Sequence, residues 1–98
     1  MLKRLRGQLR EIYGDRLERA VLYGSRARLD AGADSDYDIA VFLNDMPDRW
    51  AEMNRLADLA TAILYEGGKV VHAMAYPAGT WRRKTPLMHE IRREGRDL

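Results

Sequence analysis

The 98-residue chain contains no cysteine, so neither a disulfide framework nor thiol chemistry is open to it. No apolar run is long enough to cross a membrane, and a membrane partner is not expected. The opening MLKRLRGQLREIYG lacks the apolar core of a signal peptide, which makes a cytoplasmic location the default expectation. There is no internal repeat, no low-complexity tract and no linker, so residues 1–98 read as one domain with a modest core. Charge of one sign is also missing. Seventeen Lys and Arg against fifteen Asp and Glu leave a net +2, too little to call for nucleic acid by itself. Arg82, Arg83, Lys84, Arg92, Arg93 and Arg96 could form a phosphate-contacting rim, but such runs are usually solvated faces.

What is present concentrates in one stretch. Ala20 to Tyr23 is a short apolar run ended by Gly24-Ser25-Arg26-Ala27-Arg28. The run reads as a buried strand. Gly24 lets the backbone turn sharply and approach a ligand. A short helix is expected from Ser25, whose hydroxyl and free backbone N–H groups suit an anion. Arg26 and Arg28 add positive charge at that corner, with room for only one to point at a ligand. Ten residues then separate Ser25 from Asp36-Tyr37-Asp38, which opens a second apolar run. On a strand, Asp36, Asp38, Ala40 and Phe42 share one face, and Tyr37, Ile39, Val41 and Leu43 the other. Two carboxylates on one face can clamp a hard cation, and Mg²⁺ typically leans on one or two carboxylates plus substrate phosphates. Either motif alone is ordinary turn or loop chemistry. In this order, each beside a strand, they describe a site for a metal-bound nucleoside triphosphate.

The remaining elements follow from periodicity. Leu2, Leu5, Leu9, Ile12 and Tyr13 fall at helical spacing, with Gly14 as the stop. Strands are expected at about 19–24, 37–43 and 70–76. Pro47 and Asp48 suit the start of a long helix that ends near Gly67-Gly68, with Trp50, Met53, Ala57, Ala60 and Leu64 along its core stripe. Pro77-Ala78-Gly79 breaks the third strand. A basic turn, Trp81 to Lys84, leads to Pro86 and a last helix with Leu87, Met88 and Ile91. The fold class is α+β: a mixed sheet of three strands or slightly more, covered by helices. The long helix is a crossover, so strands two and three should run parallel with their starts side by side.

The stretch GSRARLDAGADSDYDIAV resembles the signature of the polymerase-β-like nucleotidyltransferase superfamily, most closely its minimal single-domain branch. That resemblance implies that Gly24, Ser25 and Arg26 hold phosphate, and that Asp36 and Asp38 are catalytic and bind Mg²⁺. It implies ATP as substrate and a two-metal, in-line displacement at the α-phosphorus with pyrophosphate leaving. It also implies an AMP transfer to a hydroxyl on a partner protein. In the minimal branch that partner is a small helical protein of the HEPN class, a toxin for which the transferase is the antitoxin. A homodimer is the other assembly considered.

One departure from the family pattern bears on activity. A third carboxylate, ligand and general base in the family, belongs at the start of strand three, where this chain reads Lys69-Val70-Val71-His72. The family position aligns with Val71, which should then face Asp36 and Asp38 as an apolar wall. His72 should point to the opposite side, and His72, Glu66 and Asp34 are the groups that could substitute as base. The alternative function is therefore a weak or inactive nucleotide-binding module that regulates its partner by contact.

Overall fold

In the computed structural model, residues 1–28 and 36–98 are described. The predicted loop containing Asp34 and Ser35 lies outside them. Helix α1, Leu2–Tyr13, buries Leu5, Leu9 and Tyr13 and stops at Gly14, whose φ is 53°. A 3₁₀ turn at Gly14–Arg16 feeds strand β1, Leu17–Tyr23. Helix α2 is one turn, Ser25–Arg28, and strand β2 is Tyr37–Leu43. Helix α3, Arg49–Gly67, is capped by the Asp48 carboxylate, which accepts from the Ala51 amide at 3.1 Å, and ends at left-handed Gly68. Strand β3 is Val71–Pro77, and helix α4, Pro86–Glu94, starts behind the Thr85 hydroxyl. No helix among the described residues is long and apolar enough to cross a membrane.

The sheet has strand order β3-β2-β1-β4, in which β4 is the two-residue strand Arg96–Asp97. Strands β2 and β3 are parallel, as a helical crossover requires, and β1 is antiparallel to both β2 and β4. The expected mixed sheet of three strands or slightly more thus has four strands among the described residues. Strand β4 is invisible to a periodicity reading because two residues carry no pattern. Gly95 permits it: a Cβ there would collide with Val21 and the Ile91 carbonyl.

The two faces of the sheet bury different sets. Leu22, Ile39, Val41, Leu43, Val71 and Ala75 pack against α1 and α3. Val21, Ala40 and Phe42 pack against Met88 and Ile91 of α4. The core stripe of α3 is Leu56, Leu59 and Ile63 with Glu52; of the predicted stripe, Met53 and Ala60 pack at the core's margin, whereas Trp50, Ala57 and Leu64 are exposed. Trp50 is 77 % exposed and Leu64 45 %. The helix carries two apolar stripes about a quarter-turn apart, and periodicity cannot choose between them. Glu52 is buried because Arg16 ion-pairs with it, and Arg16 also donates to the Asp45 carbonyl. That latch ties the end of α1 to the start of α3.

Candidate functional site

The turn after β1 and the start of β2 meet directly. Tyr23 lies opposite Asp38 in the antiparallel register. Gly24 follows with φ 75°, a left-handed conformation that side chains disfavour. A Cβ on Gly24 would stand 2.6 Å from Asp38 Oδ2, so the glycine also makes room for the carboxylate. The Gly24 carbonyl accepts from the Ala27 and Arg28 amides and closes the first turn of α2. Ser25, as first helical residue, has no intrahelical acceptor for its amide. The predicted phosphate turn and the predicted metal pair therefore share one corner.

The register of β3 decides what else reaches that corner. Tyr37 pairs with Val71 and Asp38 with His72. Val71 is 6 % exposed and belongs to the core beneath α1 and α3. The expectation that Val71 faces the acidic pair is therefore wrong by one residue. The position beside Asp38 is His72, whose Nε2 is 2.9 Å from Asp36 Oδ2. The parity argument correctly set His72 opposite Val71, but it attached the site to the wrong face. Glu66 does not approach the site: it ion-pairs with Arg4 of α1.

Arg26 lies with its guanidinium 4.2 Å from the centroid of Tyr37, a residue on the face of β2 opposite to Asp38. Arg28 instead reaches toward α4, where it donates to Glu90 at 3.1 Å and to Glu94 at 3.2 Å. Glu90 is the group that sequence reading missed, because nothing in its spacing from Asp36 announces it. Its charge is felt at the site. Burial pushes the Asp38 carboxyl above the usual range, His72 opposes this, and Asp36 and Glu90 reinforce it. Tyr23 is half-buried, and its partial burial, reinforced by Tyr76, Asp38 and Glu90, pushes its hydroxyl up to about 12.

Such a corner suits a cation. Positive charge there relieves the repulsion by which the Asp36 carboxylate adds to the raised proton affinity of Asp38. Among the described residues no three His, Cys, Asp or Glu side chains form a finished metal cage. Asp36 and Asp38 instead fit the arrangement in which a few carboxylates and the substrate's own phosphates share an ion. The basic turn has a structural occupation: Arg19 and Arg82 lie against the Trp81 ring, and Arg92 donates to the carbonyls of Trp81 and Arg83.

No curated protein matches the sequence. Among solved structures, a chain of a toxin–antitoxin complex with AMP-PNP is similar at TM-score 0.64 and 20 % identity, covering 99 % of this chain and 72 % of that one. Two mutant forms of the toxin–antitoxin complex MntA-HpeT are similar at TM-scores of 0.62 and 0.63, with 18 % and 21 % identity. They cover 97 % and 98 % of this chain and 70 % of each of theirs. At such identities the likeness is one of fold. The profile of the polymerase beta nucleotidyltransferase family spans residues 8–98, nearly the whole chain. With the Gly-Ser turn and the Asp-x-Asp strand at one corner of that fold, the chain belongs to the polymerase β nucleotidyltransferase family.

Proposed function

We propose that this chain is a nucleotidyltransferase antitoxin that transfers AMP from Mg²⁺-ATP to a hydroxyl on a partner protein, a helical toxin of the HEPN class. The carrying observation is the meeting of Gly24 with the Asp38 carboxylate, which joins a phosphate turn to a metal pair. The neighbours taken from toxin–antitoxin complexes, one of them with AMP-PNP, support the partner and the nucleotide.

Each residue has a role in this reading. Gly24 and Ser25 hold the triphosphate through backbone amides and a hydroxyl, and Arg26 contributes charge nearby. Asp36 and Asp38 hold the divalent cation. When bound, the cation neutralises triphosphate charge and polarises the α-phosphorus. The acceptor oxygen bonds to the α-phosphorus, the α–β bridging bond breaks, pyrophosphate leaves, and the hydroxyl proton passes to solvent or a base. Residues 1–98 act as one cytoplasmic domain, and the acceptor hydroxyl is supplied by the partner.

The second reading is regulation by contact alone. It is favoured by β3, which brings His72 rather than a carboxylate to Asp38. One experiment separates the two. The chain is incubated with ATP, Mg²⁺ and the product of the neighbouring gene, and the partner's mass is measured. A gain of one AMP, absent in Asp36→Asn/Asp38→Asn, supports transfer. An unmodified partner that still binds the chain supports contact.

A further inference from the structure

Helix α2 carries Ser25 but is too short to hold itself. Its one turn closes on the Gly24 carbonyl, which accepts from the Ala27 amide at 3.1 Å and the Arg28 amide at 3.2 Å. A single isolated turn is unstable in water, so tertiary contacts must fix it. Ala27 supplies one, at 3 % exposure in the core. The two arginines supply the others. Two residues apart on a helix, they point to nearly opposite sides. Arg26 lies with its guanidinium 4.2 Å from the Tyr37 centroid, on the sheet face that α1 and α3 cover. Arg28 donates at 3.1 Å to Glu90 and at 3.2 Å to Glu94 of α4, the helix that packs on the other face. Both anchors are themselves held. The Tyr37 amide donates to the Val70 carbonyl at 2.9 Å, and its side chain packs against the core. Glu90 and Glu94 stand one turn apart on α4, which Met88 and Ile91 bury against the sheet.

We propose that Tyr37, Glu90 and Glu94 are positioning residues for the phosphate turn. Through Arg26 and Arg28 they clamp α2 from both faces of the sheet and hold Ser25 where the triphosphate needs it. The inference rests on the phosphate-turn reading of Gly24 and Ser25. For the acidic pair the sign of the effect is diagnostic. Two carboxylates near a triphosphate that did no more than repel it would, once neutralised, leave ATP bound more tightly. Two carboxylates that hold Arg28 leave ATP bound more weakly when neutralised, because α2 loses one arm of its clamp.

The test pairs calorimetric titration with Mg²⁺-ATP and amide hydrogen exchange read by nuclear magnetic resonance. Wild type, Tyr37→Phe, Tyr37→Leu, Glu90→Gln/Glu94→Gln and the combined Tyr37→Leu/Glu90→Gln/Glu94→Gln are compared. Tyr37→Phe keeps an aromatic face for Arg26 and should match wild type. Tyr37→Leu and Glu90→Gln/Glu94→Gln should each weaken ATP by about 2- to 5-fold, the yield of an exposed cation–π or ion-pair contact. The combined variant should lose about 5- to 20-fold, because contacts on opposite faces add. In the weakened variants the Ala27 and Arg28 amides should exchange faster, while those of Ala40 and Val41 in the buried part of β2 keep their wild-type rates. Tighter ATP binding by Glu90→Gln/Glu94→Gln, or unchanged exchange at Ala27 and Arg28, would overturn the inference even where wild type binds ATP. A loss in Tyr37→Phe equal to that in Tyr37→Leu would overturn the Arg26 arm of the clamp. No ATP binding by wild type at millimolar concentration would remove the phosphate-turn reading, and this inference with it.

Discussion

At the scale of single residues, Asp38 is held in tension. It sits against the Gly24 turn, beside Asp36, His72, Tyr23 and Glu90, and burial is the largest force raising its proton affinity. The sign of the consequence follows. The folded protein binds the Asp38 proton more tightly than the unfolded chain does, so ionised Asp38 opposes folding. That penalty is present above the folded pKa and is relieved as pH falls through it. In EDTA, Asp38→Asn should melt above wild type at pH 7, and the gap should close as the pH drops through the acid range. A mutant that melts below wild type at pH 7 would show the carboxylate to be structural. The same corner shows how one residue of register changes chemistry. Val71→Asp places a carboxylate in the core, at a cost on the order of 3–5 kcal/mol that Mg²⁺ cannot relieve. His72→Asp instead adds a third carboxylate at the acidic pair, and Mg²⁺ should restore much of the Tm it loses. Thermal melts of both variants with and without Mg²⁺ check the pair of expectations.

At the scale of elements, the long helix separates what a sequence reveals from what it hides. Its ends were legible because Asp48 and Gly68 act through local backbone geometry. Its inward face was not, because Trp50-Met53-Ala57-Ala60-Leu64 and Leu56-Leu59-Ile63 are both helical stripes. The choice falls to the sheet beneath and to the Arg16 latch, which draws Glu52 inward. Leu56→Ala should therefore cost about 2–5 kcal/mol. Trp50→Ala, at a site 77 % exposed, should stay within about 0.5 kcal/mol of wild type. Urea unfolding of the two variants decides between the stripes, and a large loss in Trp50→Ala would reinstate the other one. Strand three shows the same limit. Its existence and its parallel partner could be read from the crossover, but a strand offers two faces, and shifting by one residue exchanges them. The parallel pairing of Asp38 with His72, set by tertiary structure, resolved it.

At the scale of the whole molecule, the sheet is covered unequally. Helices α1 and α3 cover one face, whereas α4 packs on Val21, Ala40 and Phe42 of the other. The ends of the strands that carry Asp36 and His72 remain open to solvent beyond that packing. A small core leaves a modest stability, so ligand binding should be conspicuous in a melt. Mg²⁺-ATP at tenfold its Kd adds about 1.4 kcal/mol to the folded state. For a chain of this size that corresponds to a rise of roughly 5–10 °C in Tm. If Gly24-Ser25 holds phosphate and Asp36/Asp38 hold the cation, ATP with EDTA should give a smaller rise than ATP with Mg²⁺. Asp36→Asn/Asp38→Asn should abolish that difference, since amides cannot supply the charge the ion needs. Equal shifts with and without Mg²⁺ would leave the nucleotide at the turn but remove the metal from Asp36 and Asp38. No shift at millimolar ATP in either condition would mean that the free chain does not use this corner for nucleotide.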